Sequence, residues 1–278
     1  MIIRFWGTRG SVPAARPEMQ RYGGNTSCVE VRATDDSMVV LDAGTGICAL
    51  GAALPDLTRV DILLSHLHID HILGLGFFAG LFRPDLEVHL WGPGSTVQPL
   101  RARLTRYLSP PLFPVRLRDL PCELTLHDVP LGTFELPGLA VTAGFVCHPG
   151  PTLGYRLDEG NTTLAYLSDH EPALGSRAFP ESPHWTSGFE LAADVDMLIH
   201  DAQYANVEYN DHVGWGHSAI GHAVAFAGLV HARHLIGFHH DPWHDDDTLD
   251  SLYATVNSAG VDLTPAREGM TLTVASTL

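Results

Sequence analysis

Short hydrophobic runs, each bounded by glycine, proline or acidic turn residues, recur along the whole chain. In the first half, such runs predict strands at 2–6, 27–33, 38–41, 60–65 and 87–91. The second and third runs would form a hairpin around Asp35 and Asp36. Helices are predicted over 47–54, which ends at Pro55, and over about ten residues after the Gly92-Pro93-Gly94 turn.

The second half of the chain repeats this alternation. It predicts strands at 139–146, 152–157, 163–167, 196–200 and 234–238, and a helix from about His217 to His231. The segment 152–157 would pair with 163–167 across a turn at 158–161. No linker or low-complexity segment interrupts the pattern. Two sheets stacked face to face, with helices outside, suit this order of elements.

Composition narrows the class of protein. The chain has 278 residues, of which 45% are hydrophobic, enough for one large or two small cores. No hydrophobic run reaches the ~18 residues of a membrane span, and the first residues lack a basic segment followed by an apolar signal core. Four scattered cysteines (Cys28, Cys48, Cys122 and Cys147) suggest reduced thiols. We therefore expect a cytoplasmic protein without a membrane partner.

The net charge of −16 changes the expected partners, because it repels a polyanion over long range. Long nucleic acid needs a basic track that releases counterions. The basic cluster in this sequence consists of Arg101, Arg103, Arg106, Arg116 and Arg118. We interpret these arginines as decorating a solvated helix and loop, and expect no long nucleic-acid partner.

The densest set of metal-binding side chains is His66-Leu67-His68-Ile69-Asp70-His71, directly after the predicted strand at 60–65. An extended backbone points His66 and His68 in the same direction because they are two residues apart. Asp70 and His71 follow as the chain turns, so they can face a second point from the same loop. Since neutral imidazole and carboxylate groups bind divalent metals, the hexapeptide predicts two neighbouring metal ions.

The hexapeptide resembles the signature of the metallo-β-lactamase superfamily, and further landmarks of that superfamily follow in order. Leu41-Asp42-Ala43-Gly44 resembles its early Asp-Gly turn, and His148, Asp169 and His239 match its later ligand positions. The resemblance runs from the first strand to about residue 242. It implies one α/β domain, 1–278, built as an αββα sandwich of two stacked mixed β-sheets with helices on both outer faces.

Within the superfamily the chain is most similar to the phosphodiesterases, which include cyclic-nucleotide phosphodiesterase-like proteins, the carbon-phosphorus-lyase cyclic phosphodiesterase and ribonuclease Z. Four stretches carry this similarity: 4–13, 22–28, 154–157 and the His-His-Asp-Pro sequence at 239–242. The implied substrate is a small phosphodiester, such as a cyclic nucleotide or cyclic phosphate. The resemblance also suggests a homodimer.

The resemblance implies a site for two divalent metal ions, Zn²⁺ first, with Mn²⁺ or iron as alternatives. It assigns His66, His68 and His148 to one ion. Asp70, His71 and His239 would hold the other, and Asp169 would bridge them. Because paired ions lower the pKa of a shared water toward ~7, a bridging hydroxide is the expected nucleophile.

Three residues are candidates for catalysis itself: Asp70, Asp201 and His217. His217, within Gly214-Trp215-Gly216-His217-Ser218, and His200-Asp201-Ala202 resemble two blocks of ribonuclease Z. Asp201 stands where that family has Glu, so a proton relay from Asp201 to His217 competes with a structural pair at a strand end.

Smaller expectations concern the surroundings of the site. Asp42 is expected to orient a ligand by hydrogen bonding, and Asp241 is a second candidate for that role. Arg9, Asn25 and Thr26 are candidates for substrate contact, although turn chemistry explains the Gly23-Gly24-Asn25 sequence equally well. The segment 107–114, rich in proline and hydrophobic residues, fits both a lid and an ordinary surface loop.

Four other functions compete with a small-molecule phosphodiesterase. A ribonuclease Z-like enzyme that processes transfer RNA is second, although the long arm of that enzyme has no evident counterpart here. A thioesterase or lactonase would use the same metal site on a carboxyl centre. A redox diiron protein generally carries Glu where His68 stands. A non-catalytic metal-bound interaction protein would be expected to have lost ligands.

Overall fold

The computed structural model describes residues 1–172, 179–180 and 182–275. Within these ranges, fourteen strands and six α-helices follow one another along the chain. The strands are β1 (Ile2–Gly7), β2 (Cys28–Arg32), β3 (Met38–Leu41), β4 (Arg59–Leu63), β5 (Glu87–Gly92), β6 (Glu123–Asp128), β7 (Gly132–Leu136), β8 (Leu139–Phe145), β9 (Leu153–Glu159), β10 (Thr162–Leu167), β11 (Met197–Asp201), β12 (His234–Phe238), β13 (Asp262–Pro265) and β14 (Thr271–Thr273). The helices are α1 (Gly46–Ala52), α2 (Ile69–Ile72), α3 (Leu100–Thr105), α4 (Phe189–Ala192), α5 (Ile220–Leu229) and α6 (Asp246–Thr255).

The strands form two mixed sheets of seven strands each. The first has the order β14-β1-β2-β3-β4-β5-β6, and the second has the order β13-β12-β11-β10-β9-β8-β7. In the first sheet β1 and β2 are antiparallel, whereas β3 to β6 are parallel. In the second sheet β10 to β13 are parallel, and β7 to β10 are antiparallel. This is the predicted stacked, mixed arrangement, which is confirmed.

Three hydrophobic layers hold the sandwich together. The central layer lies between the sheets and includes Phe5, Val31, Tyr155 and Phe238. A second layer packs α1 against the outer face of the first sheet, and a third packs α4 and α5 against the second sheet. Each large side chain buried in these layers contributes roughly 1.5–3 kcal/mol. Among the described residues, no helix has the length and hydropathy needed to cross a membrane.

Three predicted helices differ from the structure at their ends. Helix α1 ends at Ala52 rather than at residue 54. The helix after Gly92-Pro93-Gly94 has six residues rather than about ten, because Pro99 occupies its N-cap and the chain before it is irregular. Helix α5 begins at Ile220 rather than His217, since the backbone N–H of Ser218 donates to the Asp201 carboxylate. His217 therefore lies in a loop before the helix.

The site lies where several strands end. β4 runs into the hexapeptide, and the parallel strands β10, β11 and β12 run into Asp169, Asp201 and His239. Because the carboxyl ends of parallel strands meet at one edge of a sheet, these side chains are brought together. The facing sheet supplies the hexapeptide, so the site forms at the open edge of the sandwich.

Candidate metal centre

Three histidines form what we call the open group: His66, His68 and His148. One nitrogen from each lies within 4.8 Å of the others. His68 Nδ1 and His148 Nε2 are 3.1 Å apart. His66 and His148 are buried, whereas His68 is exposed because it is the N-cap of α2 and its backbone is still extended. His68 is therefore the one residue of the open group that is exposed to solvent.

Four residues form what we call the buried group: Asp70, His71, Asp169 and His239. All four are buried, and one donor atom from each lies within 4.8 Å of the others. Nε2 of His71 and Nε2 of His239 are each 3.3 Å from Asp70 Oδ2. The same two nitrogens are 3.4 Å apart. The structure thus brings all seven predicted ligand residues into two adjoining clusters.

Asp169 connects the two groups. Its Oδ2 atom is 3.8 Å from Nε2 of His66 and 3.8 Å from Nε2 of His148. On the other side, Oδ2 is 3.3 Å from His239 Nε2, and Oδ1 is 3.0 Å from His71 Nε2. One carboxylate is therefore shared by nitrogens of both groups, as a bridging ligand would be.

The donor atoms fit a divalent metal better than a hydrogen-bonded network. Nitrogens face nitrogens in both groups, and His66 Nε2 and Asp169 Oδ1 are buried without a hydrogen-bond partner among the described residues. A buried polar atom without a partner costs free energy, which a bound cation would recover. The arrangement is compatible with divalent metal.

The electrostatics favour the metal-binding forms of His66, His148 and Asp169. At His71, burial lowers the pKa, but the charges of Asp169 and Asp70 outweigh this and raise it well above the usual value, so a bound cation would replace a proton on that ring. Burial lowers the pKa of His66 and of His148, so their imidazoles are neutral. Burial alone would raise the pKa of Asp169, but the charges of His239 and His71 hold it well below the usual range. Neutral imidazole and ionised carboxylate are the ligand forms that a divalent cation requires.

The ligands of the buried group are held by further hydrogen bonds. His71 Nδ1–H donates to Asp42 Oδ2 at 2.8 Å, the orienting role predicted for Asp42. Asp42 also accepts from the Tyr166 hydroxyl and from Ser65. His239 Nδ1–H donates to Gln203 Oε1 at 3.0 Å. These bonds fix each ring with Nε2 toward the group.

Asp70 and the N-terminal loop are connected as well. The backbone N–H of Ser11 donates to Asp70 Oδ2 at 2.8 Å. Gly10 packs so closely on His239 that a Cβ there would lie 2.4 Å from Nδ1 of that ring. The Gly-Thr-Arg-Gly-Ser sequence near the N-terminus therefore supports the site through its backbone.

A different network holds His148 of the open group. His148 Nδ1–H donates to the carbonyl oxygen of Gly216 at 2.8 Å. The buried carboxylate of Glu171 accepts from the backbone N–H groups of Gly214 and Gly216, each at 2.8 Å, and from the Tyr209 hydroxyl at 2.6 Å. Glu171 thus shapes the loop that orients a ligand. Sequence reasoning missed this role, although an acidic residue two positions after Asp169 was a signal.

His217 and Asp201 form a close pair beside both groups. His217 Nδ1 is 2.7 Å from Asp201 Oδ2 and 3.9 Å from Asp169 Oδ2. Asp201 is fully buried, and its other oxygen accepts from the backbone N–H groups of Gln203 and Ser218. Burial lowers the pKa of His217, but the charge and hydrogen bond of Asp201 outweigh this and raise it to about 9. The predicted pair is therefore present in geometry.

Two of the smaller predictions are wrong. Arg9 is fully buried and donates to the carbonyl oxygens of Gly23, Asp241 and His244, so it cannot meet a substrate. The Asp241 side chain accepts from the backbone N–H of Trp243 instead of orienting a ligand histidine. Gln203, which the sequence did not single out, holds His239. No periodicity or motif distinguishes it.

A cavity of about 580 Å³ opens beside the open group. His66 and His68 line it, and so do Arg103, Arg106 and Tyr107. The segment 107–114 borders this cavity through Tyr107 and Leu112. Within the segment, Leu108 and Phe113 are buried, whereas Leu112 is 70% exposed. The Tyr107 hydroxyl donates to the carbonyl oxygen of Leu73, which ties the segment to the loop after the hexapeptide.

The fold and the cluster define a hydrolase with a site for divalent metal. Residues 37–240 match the family model described as the beta-lactamase superfamily domain. That match spans well over half of the chain, which therefore belongs to the metallo-β-lactamase superfamily. The predicted membership is confirmed.

The individual relatives share only a modest fraction of identical residues with this chain. Ribonuclease Z of Myxococcus xanthus is 26% identical over 290 residues, covering 88% of each chain. The crystal structure of the short form of human tRNase Z has a TM-score of 0.72, with 19% identity and coverage of 99% of this chain and 100% of that one. A diphosphatase of the PhnP family has a TM-score of 0.66, with 19% identity and coverage of 98% and 96%. At this identity the structural likeness shows the fold alone.

Proposed function

We propose that this chain is a phosphodiesterase that binds two divalent metal ions and acts on a small phosphodiester. The observation that carries the proposal is the position of Asp169, shared between the open group and the buried group. The open group would hold one ion and the buried group the other, with Asp169 bridging. When bound, the ions would activate water for attack on phosphorus and offset charge on the phosphoryl oxygens.

The protein's own residues would orient the ligands and move a proton. Asp42 and Gln203 fix the rings of His71 and His239. His217 donates from Nδ1 to Asp201, which leaves Nε2 to give a proton to the departing oxygen. The backbone bonds to Asp201 hold that carboxylate in place, so the His217 ring is positioned before substrate arrives.

The names of the similar proteins support phosphorus chemistry over carbon chemistry. Ribonuclease Z and a diphosphatase both cleave bonds between phosphorus and oxygen. A thioesterase or lactonase has no such support. We further propose Zn²⁺ as the first choice of metal, the cytoplasm as location, and a homodimer as assembly.

A ribonuclease Z-like activity is the second candidate. Several curated relatives carry that name, including one from Gemmatimonas aurantiaca that is 24% identical and covers 100% of this chain. The net charge of −16 opposes it, since transfer RNA is a polyanion. Incubation with a precursor transfer RNA separates the candidates: release of the 3′ trailer at rates above those for small diesters would favour the second.

The first experiment is metal analysis of the purified protein together with a substrate panel. We expect about two metal equivalents per chain. We also expect turnover of bis-p-nitrophenyl phosphate above that of a thioester or lactone. Fewer than one equivalent would remove the two-metal site, and activity on the carbon esters alone would defeat the phosphodiesterase proposal.

A substitution then tests the proton donor. His217→Ala should lower kcat by about 10²–10⁴-fold while the metal content stays unchanged. His231→Ala, at an exposed histidine that belongs to neither group, is the matched control. Loss of metal from His217→Ala would show that His217 is a ligand instead.

A further inference from the structure

The cavity beside the open group is lined by arginines and not by acidic residues among those described, although the protein as a whole is strongly acidic. The chain carries 32 acidic residues against 16 arginines and lysines. Among the described residues that line the cavity there is no Asp or Glu, whereas Arg103 and Arg106 both line it. Arg106 is exposed at the end of α3, as the sequence predicted, and it also lines this cavity together with Arg103. A cavity with arginines and without carboxylates favours an anion.

The two arginines differ in how their charge is compensated. Arg103 donates to the carbonyl oxygen of Pro93 at 2.5 Å and lies 3.6 Å from Asp128 Oδ1, and burial lowers its pKa. Arg106 donates to the side-chain oxygen of Gln98, which is neutral, and forms no ion pair with any described carboxylate. Arg106 is thus a cation on the cavity wall whose charge is available to a ligand.

The rest of the cavity lining suits an organic group. Tyr107, Leu112, Ile69 and Ile72 line the same cavity as Arg106 and His68. A volume of about 580 Å³ lies within the ~300–1,000 Å³ usual for small-molecule sites. A scissile phosphodiester at His66 and His68 would leave these apolar side chains for a ring and Arg106 for a second charged group.

We infer that Arg106 binds a second phosphoryl group of the substrate, so that the substrate class is a small phosphodiester that carries a further phosphate. Arginine suits this role because its planar guanidinium can donate two parallel hydrogen bonds to phosphate oxygens. The inference rests on the proposed function and narrows it. A cyclic mononucleotide has one phosphate and would leave Arg106 without a partner, so it would be a poorer substrate.

Turnover of matched dinucleotides tests the inference on the metal-loaded enzyme. The wild type should cleave 5′-phosphorylated dithymidylate with a kcat/KM about tenfold to a hundredfold above that for unphosphorylated dithymidylate. Arg106→Gln should remove this preference, chiefly through KM, by lowering kcat/KM for the phosphorylated dinucleotide much more than for the unphosphorylated one. The control is Arg101→Gln, which changes an exposed arginine on the same helix that lines a different cavity.

A binding measurement keeps this inference separate from the proposed activity. By calorimetry, thymidine 3′,5′-bisphosphate should bind the wild type about tenfold or more tightly than thymidine 5′-monophosphate, and Arg106→Gln should abolish the difference. Equal binding of the two nucleotides by the wild type, or equal losses in Arg106→Gln and Arg101→Gln, would overturn the inference. If no diester is cleaved but the binding preference depends on Arg106, the proposed function fails and the anion site stands.

Discussion

The open group and the buried group use the same kinds of side chain in different surroundings. In the buried group, the backbone of Ser11, the Asp42 carboxylate and the Gln203 amide each hold one ligand. In the open group, His68 is exposed, and its hydrogen-bonded neighbour among the described residues is His148. Further hydrogen bonds therefore orient ligands of the buried group, and His66 and His148 of the open group, whereas His68 has a hydrogen bond only with another ligand among the described residues.

This difference teaches how such a site can be both stable and accessible. A ligand oriented by a second hydrogen bond loses little conformational freedom when it binds metal, so the buried group should bind more tightly. The open group adjoins the cavity where substrate would enter. We expect its ion to exchange first when a chelator is added.

The largest expected effect comes from Asp169, the residue that both groups share. Asp169→Asn removes the charge that faces nitrogens of both groups. We expect loss of metal from both groups and a fall in kcat/KM greater than the ~10–100-fold typical of changes to outer hydrogen-bond partners. Metal analysis and bis-p-nitrophenyl phosphate turnover measure the two effects.

The control for Asp169→Asn is Asp194→Asn, which alters an exposed carboxylate whose side chain is 82% accessible. Two metal equivalents bound as tightly by Asp169→Asn as by the wild type would show that this carboxylate does not connect the groups. The open group and the buried group would then be two independent metal sites.

Asp42→Asn should affect the buried group most, because Asp42 reaches His66 of the open group only through the Ser65 hydroxyl. Asp42 accepts from His71 Nδ1–H, and an amide in its place presents one oxygen where two carboxylate oxygens served five donors. The affinity for one metal equivalent should fall by about 10–100-fold, while the other equivalent is retained. Competition with a chelator resolves the two equivalents.

Tyr166→Phe provides the comparison for Asp42→Asn, since it removes one hydrogen bond to Asp42 and leaves the carboxylate in place. It should lower the free energy of unfolding by about 1 kcal/mol with little change in metal affinity. Equal weakening of both equivalents in Asp42→Asn would contradict a separate role for the buried group.

The ligand residues could be predicted because their spacing along the chain is typical of a metal site. His66, His68, Asp70 and His71 are local to one loop, and His148, Asp169 and His239 each follow a strand whose hydrophobic run was plain. The ten predicted strands lie within about two residues of observed ones for the same reason, whereas β6, β7, β13 and β14 were not predicted. Stacking of the sheets followed from resemblance rather than from periodicity.

The residues that support the ligands could not be predicted in the same way. Gln203 and Glu171 act on His239 and on the loop around Gly216, partners far away along the chain, and no local pattern records such contacts. Arg9 shows the opposite error. It was a candidate for substrate contact, yet it is fully buried and donates to three backbone carbonyl oxygens.

The surroundings of the buried group predict a dependence of stability on pH. His200 is fully buried, and its Nε2 accepts from His170 Nδ1–H at 2.9 Å. Burial lowers the pKa of His200 from 6.5 to about 4. The unfolded chain therefore takes up a proton at a higher pH than the folded chain does, so this contribution to stability is intact above pH 6.5 and is lost as the pH falls toward 4.

The expected size of the pH effect is about 2 kcal/mol of unfolding free energy between pH 6.5 and 5. Urea unfolding at both pH values measures it. His200→Gln should flatten this dependence, whereas His231→Gln, at an exposed position, should leave it unchanged. An unaltered slope in His200→Gln would show that this histidine is not held neutral.

The smallest expected effect concerns Glu171 and the open group. Glu171 uses both oxygens, one for Tyr209 and Gly214 and the other for Gly216, and Gly216 in turn holds His148. Glu171→Gln keeps the shape but replaces one acceptor oxygen by a donor, so it loses at least one of these bonds. We expect the affinity for the open-group ion to fall by about tenfold, near the lower end for an outer partner.

Chelator competition on Glu171→Gln should show earlier release of the first equivalent, which is the ion of the open group. Release of the second equivalent, the ion of the buried group, should be unchanged. Glu190→Gln, an exposed carboxylate on α4, is the matched control. Because Asp42→Asn should weaken the second equivalent and Glu171→Gln the first, the two variants together test whether each group has its own support. Release of both equivalents at the wild-type chelator concentration in Glu171→Gln would mean that the loop at Gly214–Gly216 does not set the geometry of His148.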